Sequence, residues 1–252
     1  MVNLLKKERK QLILKHINIH SRVTFNELAE LMNVSEDTIR RDLSELAKAN
    51  LISKIRGGAM ARGNQLVHAA ANATYAFENK QVIAKKALSL LKEGMLVLIG
   101  GGTTIHEFIK LIPDNLHATF VTANPFTSIE LLEKPNIETI ILGGRISNYS
   151  QTVVGGDAFL KLAEIKADLC IMGTNAIDIN DGITDLEWES VEIKKAIFKA
   201  SKKVAILAIS EKLNTTMKLR ICPVSEVNYL ITELDKNHES LIDYKEIGIK
   251  IL

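Results

Sequence analysis

The sequence predicts an α/β protein of two domains, a small helical head over residues 1–60 and a larger body over residues 78–252. Three observations predict this division. Apolar residues recur at helical spacing in the head, apolar runs of strand length alternate with amphipathic helices in the body, and residues 61–77 follow neither pattern. We therefore expect residues 61–77 to be a linker. The length of 252 residues is ample for two cores.

The head begins with two predicted helices. Residues 4–17 place apolar side chains among charges and predict the first helix. Thr24 can cap the second helix, and Glu27 stands three residues later, which is the spacing of a capping box. The expected apolar stripe of this helix consists of Leu28, Leu31 and Met32.

The third predicted helix, "SEDTIRRDLSELAKAN", follows a short turn. Asn33 can adopt a left-handed conformation there, and Ser35 can cap the new helix. At about 100° per residue Arg41 points away from the apolar face, whereas Thr38 and Arg40 flank it. Two helices joined in this way make a helix-turn-helix, whose second helix enters the DNA major groove. The apolar face consists of Ile39, Leu43 and Leu46.

A short hairpin is predicted directly after this helix. Asn50 closes the helix, and "LISKIRGG" then alternates and ends in two glycines. Such a hairpin is a wing, from which Lys54 and Arg56 can contact the DNA backbone. An isolated pair of arginines would more often be surface charges paired with nearby acids. The wing beside them favours a DNA interface.

The charge distribution supports a polyanionic partner for the head alone. Residues 1–62 contain 12 Lys and Arg against 7 Asp and Glu, whereas the remainder contains 20 against 23. A basic head on a mildly acidic body is typical of a protein whose head meets nucleic acid.

The segment "NVSEDTIRRDLSELAKANLISKIRGGA" resembles the signature of the DeoR family of bacterial transcription regulators across Val34 to Ala59. The resemblance implies a winged helix-turn-helix that binds double-stranded operator DNA. It assigns DNA contacts to two groups of residues. On the recognition helix these are Ser35, Thr38, Arg40 and Arg41, and on the wing they are Lys54 and Arg56.

The body predicts a mostly parallel, Rossmann-like sheet covered by helices on both faces. The predicted strands are "MLVLI", "ATFVT", "IETIIL", "ADLCIM", "KVAILAI" and "VNYLIT". Ligands of such sheets bind beyond the carboxyl ends of the strands. The segments GGGTT, TAN, LGG, GTN and the stretch from Ser210 all lie at those ends. Their convergence predicts one ligand site.

The GGGTT loop, residues 100–104, predicts a phosphate site. Glycines let backbone N–H groups approach an anion, and the following helix contributes the positive end of its dipole. The loop is neither a GxGxxG nor a Walker motif, which disfavours a nucleotide. The alternative is a tight turn with a threonine cap. The other loops at the same edge favour phosphate.

The body also resembles the DeoR-family sensor domain over residues 78–234, through "GTT", "LGGRI", "VGGDA", "DLCIMGTNAID", "DGIT" and "SEK". The resemblance implies a fold similar to ribose-5-phosphate isomerase and recognition of a phosphorylated sugar or polyol. It places the phosphate on the loop and Lys212 opposite it as a point charge. The implied effector-binding residues are Gly101, Gly102, Thr103, Thr104, Asn175, Asp178 and Lys212.

The chain departs from the family pattern at two positions. The family often carries an aspartate where this chain has Gly100, and another where it has Ile209. A polyol site without these carboxylates is compatible with a different sugar phosphate, or with an inositol- or glycerol-type phosphate.

These observations give three functional hypotheses. The first is a transcription regulator, in the family's usual mode a repressor, that senses a phosphorylated metabolite as a homo-dimer or homo-tetramer. The second is an enzyme of the sugar-phosphate isomerase kind with an appended DNA-binding module, but its candidate acids lie in no recognisable catalytic motif. The third is a DNA-binding scaffold whose pocket binds nothing. The candidate acids are Asp178, Asp181, Asp185 and Glu187.

The sequence gives no sign of a metal, a cofactor or a membrane. The six histidines show no ligand spacing, and Cys170 and Cys222 form neither a zinc motif nor a disulfide framework. The charged start and the lack of an apolar run of 18 residues predict a cytoplasmic protein.

Overall fold

The computed structural model describes residues 5–20, 22–61 and 75–252. The chain divides into two compact units between Tyr75 and Ala76. The predicted linker, residues 61–77, lies mainly outside the described residues, since residues 62–74 belong to neither range.

The head has alternating helices and short strands in its described part. In chain order these are α1 (Lys6–His20), β1 (Arg22–Thr24), α2 (Phe25–Met32), α3 (Glu36–Lys48), β2 (Ile52–Ile55) and β3 (Gly58–Ala61). The strands form an antiparallel sheet in the order β1-β3-β2. Helices α2 and α3 with the β2–β3 hairpin make the predicted winged helix-turn-helix.

The local signals in the head act as the sequence predicts. The Thr24 hydroxyl accepts the Glu27 N–H at 3.2 Å, and the Glu27 carboxylate accepts the Thr24 N–H at 2.9 Å. Asn33 ends α2 with φ of 50°. The Ser35 hydroxyl accepts the Thr38 N–H at 3.3 Å and so caps α3. The capping box, the left-handed turn and the second cap are therefore confirmed.

One prediction about the head is wrong. Leu31 was expected on the apolar stripe of α2, but its side chain is 57% exposed. The buried residues of α2 are Leu28, Ala29 and Met32. Because successive residues turn by about 100°, that buried face is centred roughly 100° away from Leu31. The small Ala29 takes the place that the larger leucine was expected to fill.

The body contains six helices and twelve strands among its described residues. The helices are α4 (Phe77–Ala87), α5 (Thr103–Leu111), α6 (Pro125–Leu131), α7 (Gly156–Ala163), α8 (Trp188–Lys199) and α9 (Ile242–Glu246). The first six strands are β4 (Leu96–Ile99), β5 (Ala118–Thr122), β6 (Ile137–Ile141), β7 (Arg145–Ile146), β8 (Val153–Val154) and β9 (Leu169–Gly173). The other six are β10 (Ala176–Asp178), β11 (Gly182–Asp185), β12 (Val204–Leu207), β13 (Leu219–Cys222), β14 (Tyr229–Ile231) and β15 (Lys250–Ile251).

Seven of these strands form one sheet in the order β15-β14-β12-β9-β4-β5-β6, and all neighbours are parallel. The chain moves outwards from β4 to β6 and then returns to place β9 on the other side of β4. The strand order therefore reverses between β4 and β9. In open parallel sheets the crevice at such a reversal is where ligands bind.

Two smaller antiparallel units accompany the main sheet. Strands β10, β11 and β13 form one, and the β7–β8 hairpin forms the other. Neither was predicted, because strands of two to four residues carry too little alternation to be read from sequence. Cys170 and Cys222 are free thiols in the core, and burial raises the pKa of both.

Candidate functional site

The outer face of α3 presents two arginines in different states. The Arg41 side chain is 80% exposed, and its Nη2 lies 3.8 Å from a carboxylate oxygen of Asp37. The Arg40 guanidinium lies 4.2 Å from the centre of the Phe25 ring and donates to Glu36 at 3.1 Å. Arg40 is therefore held against the head, whereas Arg41 projects from it and can reach a base edge.

The other predicted DNA contacts border this face. At the N-terminus of α3 the hydroxyls of Ser35 and Thr38 lie 3.0 Å apart. On the wing, the Lys54 ammonium donates to the Ser44 hydroxyl at 3.1 Å, which ties β2 to α3. Arg56 is exposed in the hairpin turn itself. The predicted residues thus lie along one helix and its wing.

A buried ion pair braces the recognition helix from behind. Arg9 Nε of α1 lies 2.6 Å from Asp42 Oδ2 of α3, and both side chains are largely buried. Lys6 and Lys10 of α1 pair with Glu45, and these contacts lower the pKa of Glu45 to about 2. Asp42 was not predicted from the sequence. It lies on the same face of α3 as Ile39, Leu43 and Leu46, and this position indicates that its charge is buried.

In the body, the GGGTT loop lies at the carboxyl end of β4. Gly102 precedes α5 with φ of 107° and ψ of 167°, and no side chain caps this helix. Thr103 and Thr104 lie inside its first turn. The alternative of a threonine-capped turn is therefore wrong. The uncapped N–H groups and the helix dipole make the loop suitable for an anion.

The loop also packs against the next strand connection. A Cβ atom on Gly101 would lie 2.4 Å from Asn124 Nδ2, so a side chain at this position would displace Asn124. Asn124 caps α6 by accepting the Thr127 N–H at 3.0 Å, and the Thr127 hydroxyl donates to the Gly100 carbonyl at 3.0 Å. These contacts fix the loops after β4 and β5 to each other.

Lys212 approaches from the loop after β12. Its ammonium donates to the Thr174 carbonyl, at the end of β9, at 2.6 Å. Burial and the positive charges of Lys80 and Lys194 lower the pKa of Lys212 to about 7, although the Asp185 carboxylate acts in the opposite direction. Positive groups that repel one another in a partly buried place are suited to an anionic ligand, which would relieve the repulsion.

The two lysines whose charges act on Lys212, Lys80 and Lys194, were not predicted from the sequence. Lys80 is only 4% exposed, and burial lowers its pKa to about 8. Its signal was present, because Lys80, Ile83, Ala84 and Ala87 share one buried face of α4. Lys194 of α8 forms an ion pair with buried Asp185.

Asn175 and Asp178 are placed differently from each other. The Asn175 amide donates to Asp185 Oδ1 at 3.0 Å, beside the end of β9. Asp178 Oδ1 accepts the N–H groups of Asn180 at 2.8 Å and Asp181 at 3.1 Å, in the β10–β11 turn. The turn therefore occupies the Asp178 carboxylate, and its role towards an effector stays a prediction.

The two departures from the family pattern lie in apolar surroundings. A Cβ atom on Gly100 would lie 3.0 Å from Met172 Cγ, and the next nearest atoms also belong to Met172. Ile209 is 2% exposed. A carboxylate at either position would lose hydration next to apolar atoms.

Comparison with known families assigns both units. The model described as "DeoR-like helix-turn-helix domain" matches residues 9–65, and that described as "DeoR C terminal sensor domain" matches residues 76–234. The chain belongs to the DeoR family. It is thus a DNA-binding transcriptional regulator of a family that is not enzymatic.

Individual relatives agree with this assignment. The chain is 27% identical to the HTH-type transcriptional regulator GolR of Listeria innocua, over 97% of each chain. It is 29% identical to the HTH-type transcriptional repressor GlcR of Bacillus subtilis, over 90% of this chain and 88% of that one. It is also similar to the solved ribose 5-phosphate isomerase A of Methanocaldococcus jannaschii, with a TM-score of 0.39, 16% identity and coverage of 55% and 54%.

Neither a candidate membrane span nor a candidate metal cluster is present among the described residues. No helix in them has both the length and the apolar character needed to cross a membrane. No group of three or more His, Cys, Asp or Glu side chains in residues 5–20, 22–61 and 75–252 is arranged to hold a metal ion.

Proposed function

We propose that this DeoR-family regulator represses a sugar or polyol operon and leaves its operator when a phosphorylated sugar or related metabolite binds the body. The observation that carries the proposal is the position of the GGGTT loop at the reversal of strand order between β4 and β9. The loop offers uncapped N–H groups there, and the Lys212 ammonium reaches the end of β9.

In this proposal the effector phosphate lies at the N-terminus of α5. The N–H groups after Gly102 and the hydroxyls of Thr103 and Thr104 donate to its oxygens, and Lys212 balances its charge. Gly101 permits the close approach of Asn124. We assign Asn175 and Asp178 to the hydroxyl groups of the sugar.

For the head, we propose that α3 lies in the major groove. Arg41 reads a base edge, Arg40 and the N-terminal Ser35 and Thr38 contact the groove wall, and the wing residues Lys54 and Arg56 grip phosphates. One recognition helix reads few bases, so two copies of the chain on paired half-sites supply the remaining specificity. We therefore propose a homo-dimer or homo-tetramer that acts in the cytoplasm.

The effector can act only by binding one arrangement of the paired heads more tightly than the other. A ligand with equal affinity for both arrangements would release no DNA, however tightly it bound. The proposal therefore requires a measurable difference in effector affinity between free and DNA-bound protein.

The first test measures fluorescence anisotropy of labelled DNA from upstream of the chain's own operon. Full-length protein is titrated at several salt concentrations, with and without a panel of sugar and polyol phosphates. We expect tight binding that weakens steeply with salt, because neutralised phosphates release counterions. We also expect one member of the panel to release the DNA.

The outcomes separate the parts of the proposal. Binding to scrambled DNA with the same affinity would contradict an operator-specific regulator. Tight operator binding that no phosphate alters would contradict the sensing role and leave the head assignment standing. An effector that strengthened operator binding would contradict release as the mechanism.

A further inference from the structure

Three buried oxygen atoms near the β7–β8 hairpin and the start of α8 have no hydrogen-bond partner among the described residues. They are Glu187 Oε2, Ser190 Oγ and Ser150 Oγ. Ser190 as a whole is 2% exposed. A buried polar atom left without a partner destabilises the folded protein, and a charged one does so more strongly. A carboxylate oxygen and two hydroxyls in one region therefore indicate a ligand that supplies the missing bonds.

Glu187 immediately precedes α8 and also contacts the β7–β8 hairpin. The Ser147 hydroxyl of the hairpin donates to Glu187 Oε1 and accepts the N–H groups of Tyr149 at 3.1 Å and Ser150 at 3.3 Å. Glu187 is also the residue before α8, and its side chain does not cap that helix. The carboxylate is thus held by one oxygen, and the other oxygen is left to a further donor.

This hairpin also contacts the predicted phosphate loop. Asn124 Nδ2 donates to the Gln151 carbonyl at 3.3 Å, and the same amide lies against Gly101. Gly101 is thus linked to Glu187 through Asn124 and the Gln151-to-Ser147 segment. The contacts that lead from the GGGTT loop to Glu187 therefore run through Asn124 and residues 147–151.

The charges at the two ends of this region differ. Lys212, with Lys80 and Lys194 near it, supplies positive charge at the sheet edge. Glu187 supplies a carboxylate that only accepts hydrogen bonds, and Ser150 and Ser190 supply neutral hydroxyls. The Glu187 carboxylate would repel a second phosphate, and the nearby Arg145 guanidinium is already paired with Glu189. Sugar or polyol hydroxyls can donate to the carboxylate and also bond to the serines.

We propose that Glu187, Ser190 and Ser150 form a hydroxyl-binding subsite for the end of the effector opposite its phosphate. This inference rests on the proposed function, since it presupposes that the phosphate lies on the GGGTT loop. It narrows the effector class to monophosphates with free hydroxyls and disfavours bisphosphates. A ligand without hydroxyls at this position would leave the buried oxygens unpaired and would therefore bind more weakly.

The test compares Glu187→Gln with Glu189→Gln in the full chain. Both remove one negative charge at the start of α8, but Glu189 is exposed and paired with Arg145. Titration calorimetry is carried out with inorganic phosphate, glycerol 3-phosphate, fructose 1-phosphate, glucitol 6-phosphate and fructose 1,6-bisphosphate. Ser190→Ala serves as a second variant, and circular dichroism checks that each variant folds.

We expect Glu187→Gln to weaken the best-binding monophosphate about tenfold or more, the usual effect of losing a charged hydrogen bond. Its affinity for inorganic phosphate should stay unchanged, and the preference for monophosphate over bisphosphate should shrink. Ser190→Ala should act in the same direction. Glu189→Gln should bind inorganic phosphate and the monophosphates as the wild type does.

Other results overturn the subsite. It is wrong if Glu187→Gln and Ser190→Ala bind the monophosphate as the wild type does, or if the wild type prefers the bisphosphate. Equal loss of inorganic phosphate and monophosphate in Glu187→Gln would also contradict it, because the defect would then lie at the phosphate. Wild-type protein that binds no phosphate on the panel would reject the proposed function itself and the subsite with it.

Discussion

The protonation of Lys212 differs from that of a free lysine side chain. Burial beside Lys80 and Lys194 lowers its pKa to about 7, so at neutral pH a sizeable share of it is uncharged. Its hydrogen bond to the Thr174 carbonyl keeps it at the sheet edge. Anion binding would therefore be coupled to proton uptake.

This coupling predicts a pH dependence. An anion favours charged Lys212, whereas the free protein holds it increasingly neutral above about pH 7. Affinity should therefore fall as pH rises from 7.5 to 9, by up to about tenfold per pH unit. Calorimetry with sulfate is the measurement, because sulfate keeps its charge over this range. Lys212→Met should bind weakly and without this slope, and a wild-type affinity that rose with pH would contradict the assignment.

Asp42 carries the second prediction at the residue scale. It pairs with Arg9 in a largely buried place, so removing the carboxylate takes a close negative charge away from a largely buried cation. Asp42→Ala should lower the free energy of unfolding of the head by about 3–5 kcal/mol. Urea unfolding is followed by far-UV circular dichroism, because the single tryptophan, Trp188, lies in the body.

The control for Asp42 is Glu45→Gln on the same helix. Glu45 is exposed, and exposed pairs contribute little because water and salt screen them. The Glu45→Gln variant should therefore unfold at a urea midpoint close to that of the wild type. Equal effects of the two variants would show that the buried pair does not brace α3.

At the scale of the element, α5 depends on the conformation of one glycine. Gly102 adopts φ of 107° and ψ of 167°, a region that is open only to glycine, although space exists around it. A side chain at this position would strain the backbone conformation and would not clash with neighbouring atoms. The donors of the first turn would then move away from the anion.

Gly102→Ala should therefore destabilise the body by roughly 1–3 kcal/mol and weaken phosphate binding together. The control is Gly143→Ala, since Gly143 also has open space and lies outside the left-handed region. Thermal unfolding and phosphate calorimetry on both variants give the comparison. Phosphate affinity that survives in Gly102→Ala would place the anion elsewhere.

At the scale of the whole molecule, the proposal assigns DNA binding and sensing to different units. Arg41→Ala should cost about 1–3 kcal/mol of operator affinity if the arginine reads a base, and should leave effector binding intact. Thr103→Val should keep operator binding and lose its response to the effector. Anisotropy and calorimetry on both variants check this separation.

Lys48→Ala is the control for the arginine, because Lys48 is an exposed cation at the C-terminal end of α3. It should weaken specific and scrambled DNA alike, as a phosphate contact does. If Arg41→Ala and Thr103→Val each lost both activities, the division of labour between the units would be wrong.

The sequence by itself determined the elements whose signals are local. The capping box at Thr24, the turn at Asn33, the cap at Ser35 and the parallel strands of the body follow from neighbouring residues alone. The glycine-rich loop between β4 and α5 was also predictable from its residues, and its role in binding phosphate stays a prediction.

Only the tertiary structure decided which distant residues meet. The order β9-β4-β5 places the GGGTT loop at a reversal, and packing brings Lys80, Lys194 and Asp185 close enough to Lys212 to shift its pKa. The burial of Asp42, the exposure of Leu31 and the unpartnered oxygens of Glu187 and Ser190 likewise depend on neighbours far along the chain. Burial and charge are set by these long-range contacts, and sequence periodicity reports only which face of an element a residue occupies.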